Sequence, residues 1–275
     1  MTSPLFQGPT LDGTALRLEW TERGIALVTL IRPKQMNSLS LELLDEFDRA
    51  LDLIDVESTR ALIVTGEGNA FCCGAHLRYF AGAEASIVES FDARDRYLTR
   101  IAVLFDRLEE LPFPTIAAIN GYALGGGGEL ALSCDFRVMA EEAKFGLPET
   151  KIGAVAAAGG VQKLIRHVGR SKALDWILRA THVDAVTAER NGLCSAVVPH
   201  AQLHQAALDI ALELRKLGPR AIAQSKRAIY LSEDVDLRSA RRYGLEAISM
   251  LVGGAEWKEG MAAFIEKRPP AFDAW

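Results

Sequence analysis

The chain has 275 residues, 49% hydrophobic and 24% charged, which fits a globular domain and excludes collagenous, disordered and coiled-coil chains. Lys and Arg number 31 against 36 Asp and Glu, a net charge of -5 with no basic block, so nucleic acid is not expected as a partner. The 4 cysteines form neither a disulfide framework nor the paired C-x-x-C spacing of a zinc site, so a reduced, metal-free protein is expected.

The N-terminal MTSPLFQGPTLDG lacks the basic and apolar regions of a secretory signal, which points to a cytoplasmic protein. Ala15 to Trp20 and Gly24 to Ile31, joined by an Arg23-Gly24 turn, read as a hairpin. From Ser40, a candidate N-cap, the stripe Leu43, Leu44, Phe47, Ala50, Leu51 and Ile54 predicts an amphipathic helix. The run ALIVT from Ala61 to Thr65 then suits a strand covered on both faces.

Helical spacing returns from Phe91 to Leu108 and is closed by Pro112 and Pro114. Leu111 to Gly128 carries no charge, yet its prolines, Asn120 and glycine run exclude a membrane span. Within it, TIAAIN from Thr115 to Asn120 reads as a buried strand, and a short helix is expected from Glu129, followed by a strand from Phe136 to Ala140. Beyond Pro199 only helical patterns follow, to Lys267. The expected organisation is an α/β unit over 1–199 and a helical segment over 200–275.

Two glycine turns each follow a buried strand: FCCGA at Phe71 to Ala75, and GYALGGGGE at Gly121 to Glu129. Glycine permits positive φ and close approach of a ligand to the backbone. If the second turn opens a helix, the Gly126 N–H has no helical partner and can face a developing negative oxygen; the Ala75 N–H would complete a two-donor oxyanion hole. Glu129 lies one helical turn beyond Gly126 and projects on about the same side, which places a base beside the hole. A rival pattern exists: GGGELA at Gly126 to Ala131 matches G-x-G-x-x-A, with Glu149 about twenty positions later. Its context is wrong for a dinucleotide site, because the glycines do not follow the strand tightly and Glu149 follows Pro148 rather than ending a strand.

FCCGA, the run AINGYALGGGGELA from Ala118 to Ala131, Cys134-Asp135, FGLPE ending at Glu149, and EGMAAFIEKR from Glu259 to Arg268 together resemble the enoyl-CoA hydratase/isomerase (crotonase) family. The resemblance is collinear over nearly the whole chain. It implies an α/β fold with a crotonase-like ββα spiral core, a C-terminal helical segment that packs subunits into trimers or dimers of trimers, and an acyl-CoA thioester substrate with no further cofactor. It assigns Ala75 and Gly126 to the oxyanion hole and Glu129 and Glu149 to acid-base catalysis, the pair that hydratases of the family use to add water. Isomerases of the family generally need only the glutamate matching Glu149, and a noncatalytic acyl-CoA-binding protein would keep the fold and lose the chemistry.

By the same resemblance, Cys73 and Arg78 fall where the family contacts the adenine and phosphates of CoA. Phe264 and Lys267, spaced i and i+3 on the last helix, match a pair that reaches the nucleotide of a neighbouring subunit. Three departures stand out. Ala157 replaces a glycine that helps hold the attacking water, and alanine resists positive φ. His76 stands where an aspartate is common, either as a polar wall of the pocket or as a loop histidine bonded to backbone, and Thr150 with Lys151 replaces aliphatic residues.

Overall fold

The computed structural model describes residues 8–22, 24–82, 85–87 and 89–272; residues 1–7 of the N-terminal stretch and Arg23 of the expected turn lie outside them. After a short β1 (Leu11–Asp12), the expected hairpin is β2 (Leu16–Glu22) and β3 (Ile25–Leu30), paired antiparallel. Ser40 caps α1 (Leu41–Leu53) by accepting from the Leu43 N–H at 3.2 Å, and the stripe Leu43, Leu44, Phe47, Ala50 and Leu51 is buried. The same helix brings in Glu46, whose Oε2 accepts the amides of Ala15 and Leu16 at 2.8 Å each. Those donors offset its burial and hold its carboxyl below the usual range, so a buried acid ties α1 to the start of β2.

From there the chain repeats one device. β4 (Ala61–Gly66), β6 (Thr115–Ile119) and β8 (Phe136–Ala140) lie side by side and parallel in a 7-stranded sheet of order β1-β2-β3-β4-β6-β8-β11. Each is followed by a 3-residue strand, β5 (Ala70–Cys72), β7 (Tyr122–Leu124) or β9 (Lys144–Gly146), in a second sheet of order β10-β9-β7-β5. A helical segment closes each turn before the chain returns to the large sheet. The first is α2 (Ser90–Asp92), running through a π-helical stretch Ala93–Leu98 into α3 (Thr99–Glu110). The second is α4 (Gly126–Leu132), and the third α5 (Gly160–Leu178). Then β10 (Val183–Asp184), α6 (Ala185–Arg190) and β11 (Ala196–Val198) complete the two sheets. This is a ββα spiral. Its strands run parallel from β3 onward in the large sheet, so the buried runs are apolar on both faces.

Two asparagines fix the corner between β4 and β5. Asn37 donates to Ala70 O at 2.7 Å and Glu67 O at 3.0 Å, and Asn120 donates to Gly68 O at 2.9 Å. These bonds satisfy the Glu67 and Gly68 carbonyls, which the sharp turn leaves outside both sheets, and the Ala70 carbonyl at the start of β5.

α7 (Leu203–Arg215) lies across β4, β6 and β8, with Leu203, Ala207 and Ala211 buried. The first helix after Pro199 therefore covers the large sheet. α8 (Pro219–Ser232) and α9 (Leu237–Leu251) pack on each other, and α10 (Ala255–Glu266) reaches α8 through Glu256, whose carboxylate accepts the amides of Arg220 and Ala221 at 3.0 Å each. α9 and α10 each bury one residue of their own, Ala247 and Ala263, while Leu237, Leu245, Met250, Phe264 and Ile265 are exposed.

Candidate active site

The turn after β5 is built against the turn after β7. Gly74 has φ 81, and a Cβ there would stand 2.6 Å from the Gly126 nitrogen, so only glycine lets the two turns touch. The neighbours of Ala75 have committed amides: Gly74 N–H points at Cys72 Sγ, 3.4 Å away, and His76 N–H donates to the Tyr97 hydroxyl at 2.7 Å. The Ala75 N–H lies between them, and a Cβ built on Gly126 would be 3.5 Å from its nitrogen.

In the second turn β7 ends at Leu124, Gly125 takes φ 56, and the helix begins at once with Gly126. This corrects the expectation of a helix starting at Glu129. Gly126, Gly127 and Gly128 are poor helix formers, but a Cβ on Gly127 would come within 1.8 Å of the Cys72 carbonyl oxygen, so packing outweighs propensity. The first i to i−4 bond of α4 runs from the Glu129 N–H to Gly125 O at 2.9 Å, which leaves the Gly126 amide without a partner inside the helix.

Glu129 is 4% exposed, and its Oε1 accepts the N–H groups of Ala158 and Gly160 at 2.8 and 2.9 Å. Burial pushes its carboxyl up to about 7; the Gly160 amide opposes that and the negative charge of Glu149 adds to it. Glu149 opens a 3-10 turn, Glu149–Ile152, directly after Pro148. Its Oε1 lies 3.0 Å from where a Cβ on Gly125 would be, while its Oε2 is buried with no hydrogen-bond partner. Burial raises this carboxyl as well. Two half- or fully buried acids thus flank the paired turns, both held above the ordinary range.

The structure brings Ala75, Gly126, Glu129 and Glu149 together, with Cys73 half-buried and His76 on either side of Gly74-Ala75 and exposed Arg78 on the following 3-10 turn Leu77–Tyr79. The His76 Nδ1 pairs with the Ser38 hydroxyl at 2.8 Å, and its ring lies 4.6 Å from that of Tyr79. Phe264 and Lys267 make no hydrogen bond or ion pair with these residues. Phe264 is 79% exposed, and Lys267 lies one residue past the helix as its C-cap at φ 54, so the two do not share a helical face as the spacing predicts. Ala157 is not among the positive-φ residues, so alanine fits there without strain. The amides that hold Glu129 come instead from Ala158 and Gly160, which the sequence reading passes over although it singles out this segment.

A cleft of about 640 Å³ between α5, α7 and α8 contains none of these residues. Within it Lys226 pairs with Asp135 at 2.8 Å, the Tyr230 hydroxyl donates to Asp135 at 2.9 Å and Lys163 pairs with Glu109 at 2.6 Å. Among the described residues no group of His, Cys, Asp and Glu is placed to hold a metal ion, and no helix is long and apolar enough to cross a membrane.

The raised carboxyl of Glu129 has a consequence for stability. An unfolded glutamate ionises near 4.5 and the folded one near 7, so between these values the folded state holds a proton that the unfolded state lacks, and stability falls as pH rises. Glu129→Gln keeps the acceptor oxygen for Ala158 and Gly160 and removes the buried charge. The variant should gain on the order of 3 kcal/mol over the parent at pH 8. That gain should vanish towards pH 5, which denaturant melts at the two pH values would measure; an equal difference at both would remove burial of an ionising group as the cause.

Compared with known proteins, residues 20–274 match the family model described as enoyl-CoA hydratase/isomerase. A Dictyostelium discoideum protein named "Probable enoyl-CoA hydratase, mitochondrial" is 37% identical over 249 residues, 90% of this chain and 87% of that one. The "Methylglutaconyl-CoA hydratase, mitochondrial" of Rattus norvegicus is 37% identical over 261 residues, 93% of this chain and 81% of its own. Among solved structures, an enoyl-CoA hydratase from Bacillus anthracis superposes with a TM-score of 0.88 at 37% identity, covering 95% of this chain and 100% of that one.

Proposed function

The chain belongs to the enoyl-CoA hydratase/isomerase family, and on that premise we propose that it adds water across the 2,3 double bond of an enoyl-CoA thioester, giving a 3-hydroxyacyl-CoA. In this reading the thioester oxygen sits between the Ala75 and Gly126 amides, which are fixed before reaction and need no reorganisation when charge develops. The observation that carries hydration is the second acid: Glu129 is buried beside the same turns as Glu149 and is held in place by two amides. Burial raises both carboxyls, and the charge of Glu149 adds to the rise at Glu129, which favours one of the pair holding a proton while its neighbour is charged. The anion takes a proton from water as its oxygen bonds the β-carbon, the other acid gives its proton to the α-carbon, and the pair again holds one proton. The two amide donors on Oε1 favour Glu129 as the anion, and the unpaired Oε2 of Glu149 suits the proton donor. No cofactor is needed beyond the CoA of the substrate.

We assign Cys73 and Arg78 to CoA contacts, His76 to a polar wall of the substrate pocket, and Phe264 and Lys267 to the nucleotide bound by a neighbouring subunit. The apolar faces of α9 and α10, with Leu237, Leu245, Phe264 and Ile265 exposed, support a homo-oligomer, a trimer or dimer of trimers, in which the part of the segment 200–275 beyond α7 makes the interface, α7 itself being spent on the large sheet. Sedimentation at micromolar concentration should give a trimer or hexamer, and a monomer would contradict this. The activity is tested by incubating the protein with a panel of enoyl-CoA thioesters, following loss of the conjugated absorbance and weighing the products. Gain of water supports hydration; an isomer of unchanged mass would make the protein an isomerase working through Glu149, and binding without turnover a noncatalytic acyl-CoA binder.

A further inference from the structure

The Ala75 loop is not held by sheet hydrogen bonding alone. It meets the Ser38-Leu39 segment in a single parallel bridge, Leu39 opposite Ala75, in which the Leu39 N–H donates to Gly74 O at 2.8 Å. On the other side of Ala75 a side chain enters. The Tyr97 hydroxyl accepts the His76 N–H at 2.7 Å and donates to Leu39 O. Tyr97 has no exposed surface, and its ring packs edge-on against Tyr79 at 5.5 Å and tilted against Phe80 at 5.7 Å. It lies within the π-helical stretch Ala93–Leu98. Leu39 also touches the second turn, since its Cδ1 is 3.0 Å from where a Cβ on Gly126 would be. One hydroxyl therefore ties the residue after Ala75 to a residue that borders both amides of the hole.

We propose that Tyr97 is a positioning residue for the oxyanion hole: by bridging Leu39 O and the His76 N–H it fixes the direction of the Ala75 N–H. The peptide that carries the Ala75 N–H is held at Gly74 O by the Leu39 N–H, and the Tyr97 hydroxyl holds the next peptide, so with both fixed the chain cannot swing about Ala75; an amide turned away from the oxygen loses strength steeply with angle. The hydroxyl is also the wrong group for acid-base work. Burial holds it protonated far above neutral pH, so it neither gives nor takes a proton during turnover. The inference rests on the assignment of Ala75 to the hole made under the proposed hydration.

Tyr97→Phe keeps the ring packing and removes only the bridge. It is tested in the full-length protein with two probes, butyryl-CoA, a saturated thioester, and acetoacetyl-CoA, whose bound enolate carries negative charge on oxygen and absorbs in the near ultraviolet. The variant should lower kcat roughly tenfold to a hundredfold, the scale of a misplaced catalytic group, with KM within about twofold. Bound enolate should fall by a similar factor while butyryl-CoA binds within about twofold of the parent. Phe105→Leu, in the buried core of α3, serves as a control for general destabilisation and should leave the ratio of enolate to butyryl-CoA binding unchanged.

His76→Pro attacks the bridge from its other end, because φ −75 suits proline and the ring removes the N–H that the hydroxyl accepts. It should shift the same ratio in the same direction, and it decides the matter if Tyr97→Phe does not fold. A folded Tyr97→Phe with parental kcat and enolate, or one that weakens both probes equally, overturns the role of Tyr97. A parent protein that neither hydrates nor holds an enolate overturns the hydratase reading itself.

Discussion

Gly126→Pro should yield a folded protein whose hydratase activity is lower by about a hundredfold to a thousandfold, the usual cost of losing one oxyanion donor. Gly126 is the first residue of α4, where proline is tolerated because the N–H makes no intrahelical bond. A Cβ there meets Leu39 Cδ1 at 3.0 Å, the end of a side chain that can shift, and Gly74 Cα at 3.2 Å. The proline ring both deletes the N–H and occupies the space in front of it. The next position would not serve, because at Gly127 any side chain strikes the Cys72 carbonyl and the fold itself is at risk. Circular dichroism and a thermal melt establish folding, and initial rates on the preferred enoyl-CoA measure the loss. Near-parental turnover in a folded variant would remove Gly126 from the hole.

Most of the large sheet and α1 could be read from the sequence because their signals are local. ALIVT, TIAAIN and FRVMA are apolar runs, and Ser40 followed by the Leu43 to Leu51 stripe is a capped amphipathic helix. The second sheet is not legible in the same way: β5, β7 and β9 have 3 residues each, too short for a period to show, and they exist because the spiral brings them side by side. α4 begins at Gly126, three residues before the sequence pattern places it, for a related reason. Propensity argues against three glycines in a helical turn, and only the packing of the spiral explains them: Gly126 lies against Leu39 and Gly74, Gly127 against the Cys72 carbonyl and Gly128 against Gly146 and Leu147.

The four residues of the candidate site were nameable because they lie in short motifs, FCCGA, GGGGE and LPE. What fixes them was not. Tyr97 and Leu39 are 58 positions apart, and Ala158 acts on Glu129 through a backbone amide that any residue but proline could supply, whereas at Gly160 a Cβ would stand 2.8 Å from Glu129 Cγ, so that glycine is required by a contact formed only in the fold.

In the proposed hydration two carboxyls, and not one, carry the reaction. Adding water delivers a hydroxyl to the β-carbon and a proton to the α-carbon, which engages an acid and a base, whereas shifting a double bond needs one proton removed and returned. Glutamine keeps the shape and acceptor oxygen of glutamate and removes its acid-base function. The decisive measurement is the hydration rate of a short 2-enoyl-CoA by Glu129→Gln and Glu149→Gln, with products weighed. Each variant should lose about a hundredfold to ten-thousandfold of the hydration rate, and any isomerisation should survive in Glu129→Gln alone. If Glu129→Gln hydrates at the parental rate while Glu149→Gln is inactive, a single glutamate suffices and the hydratase assignment is contradicted.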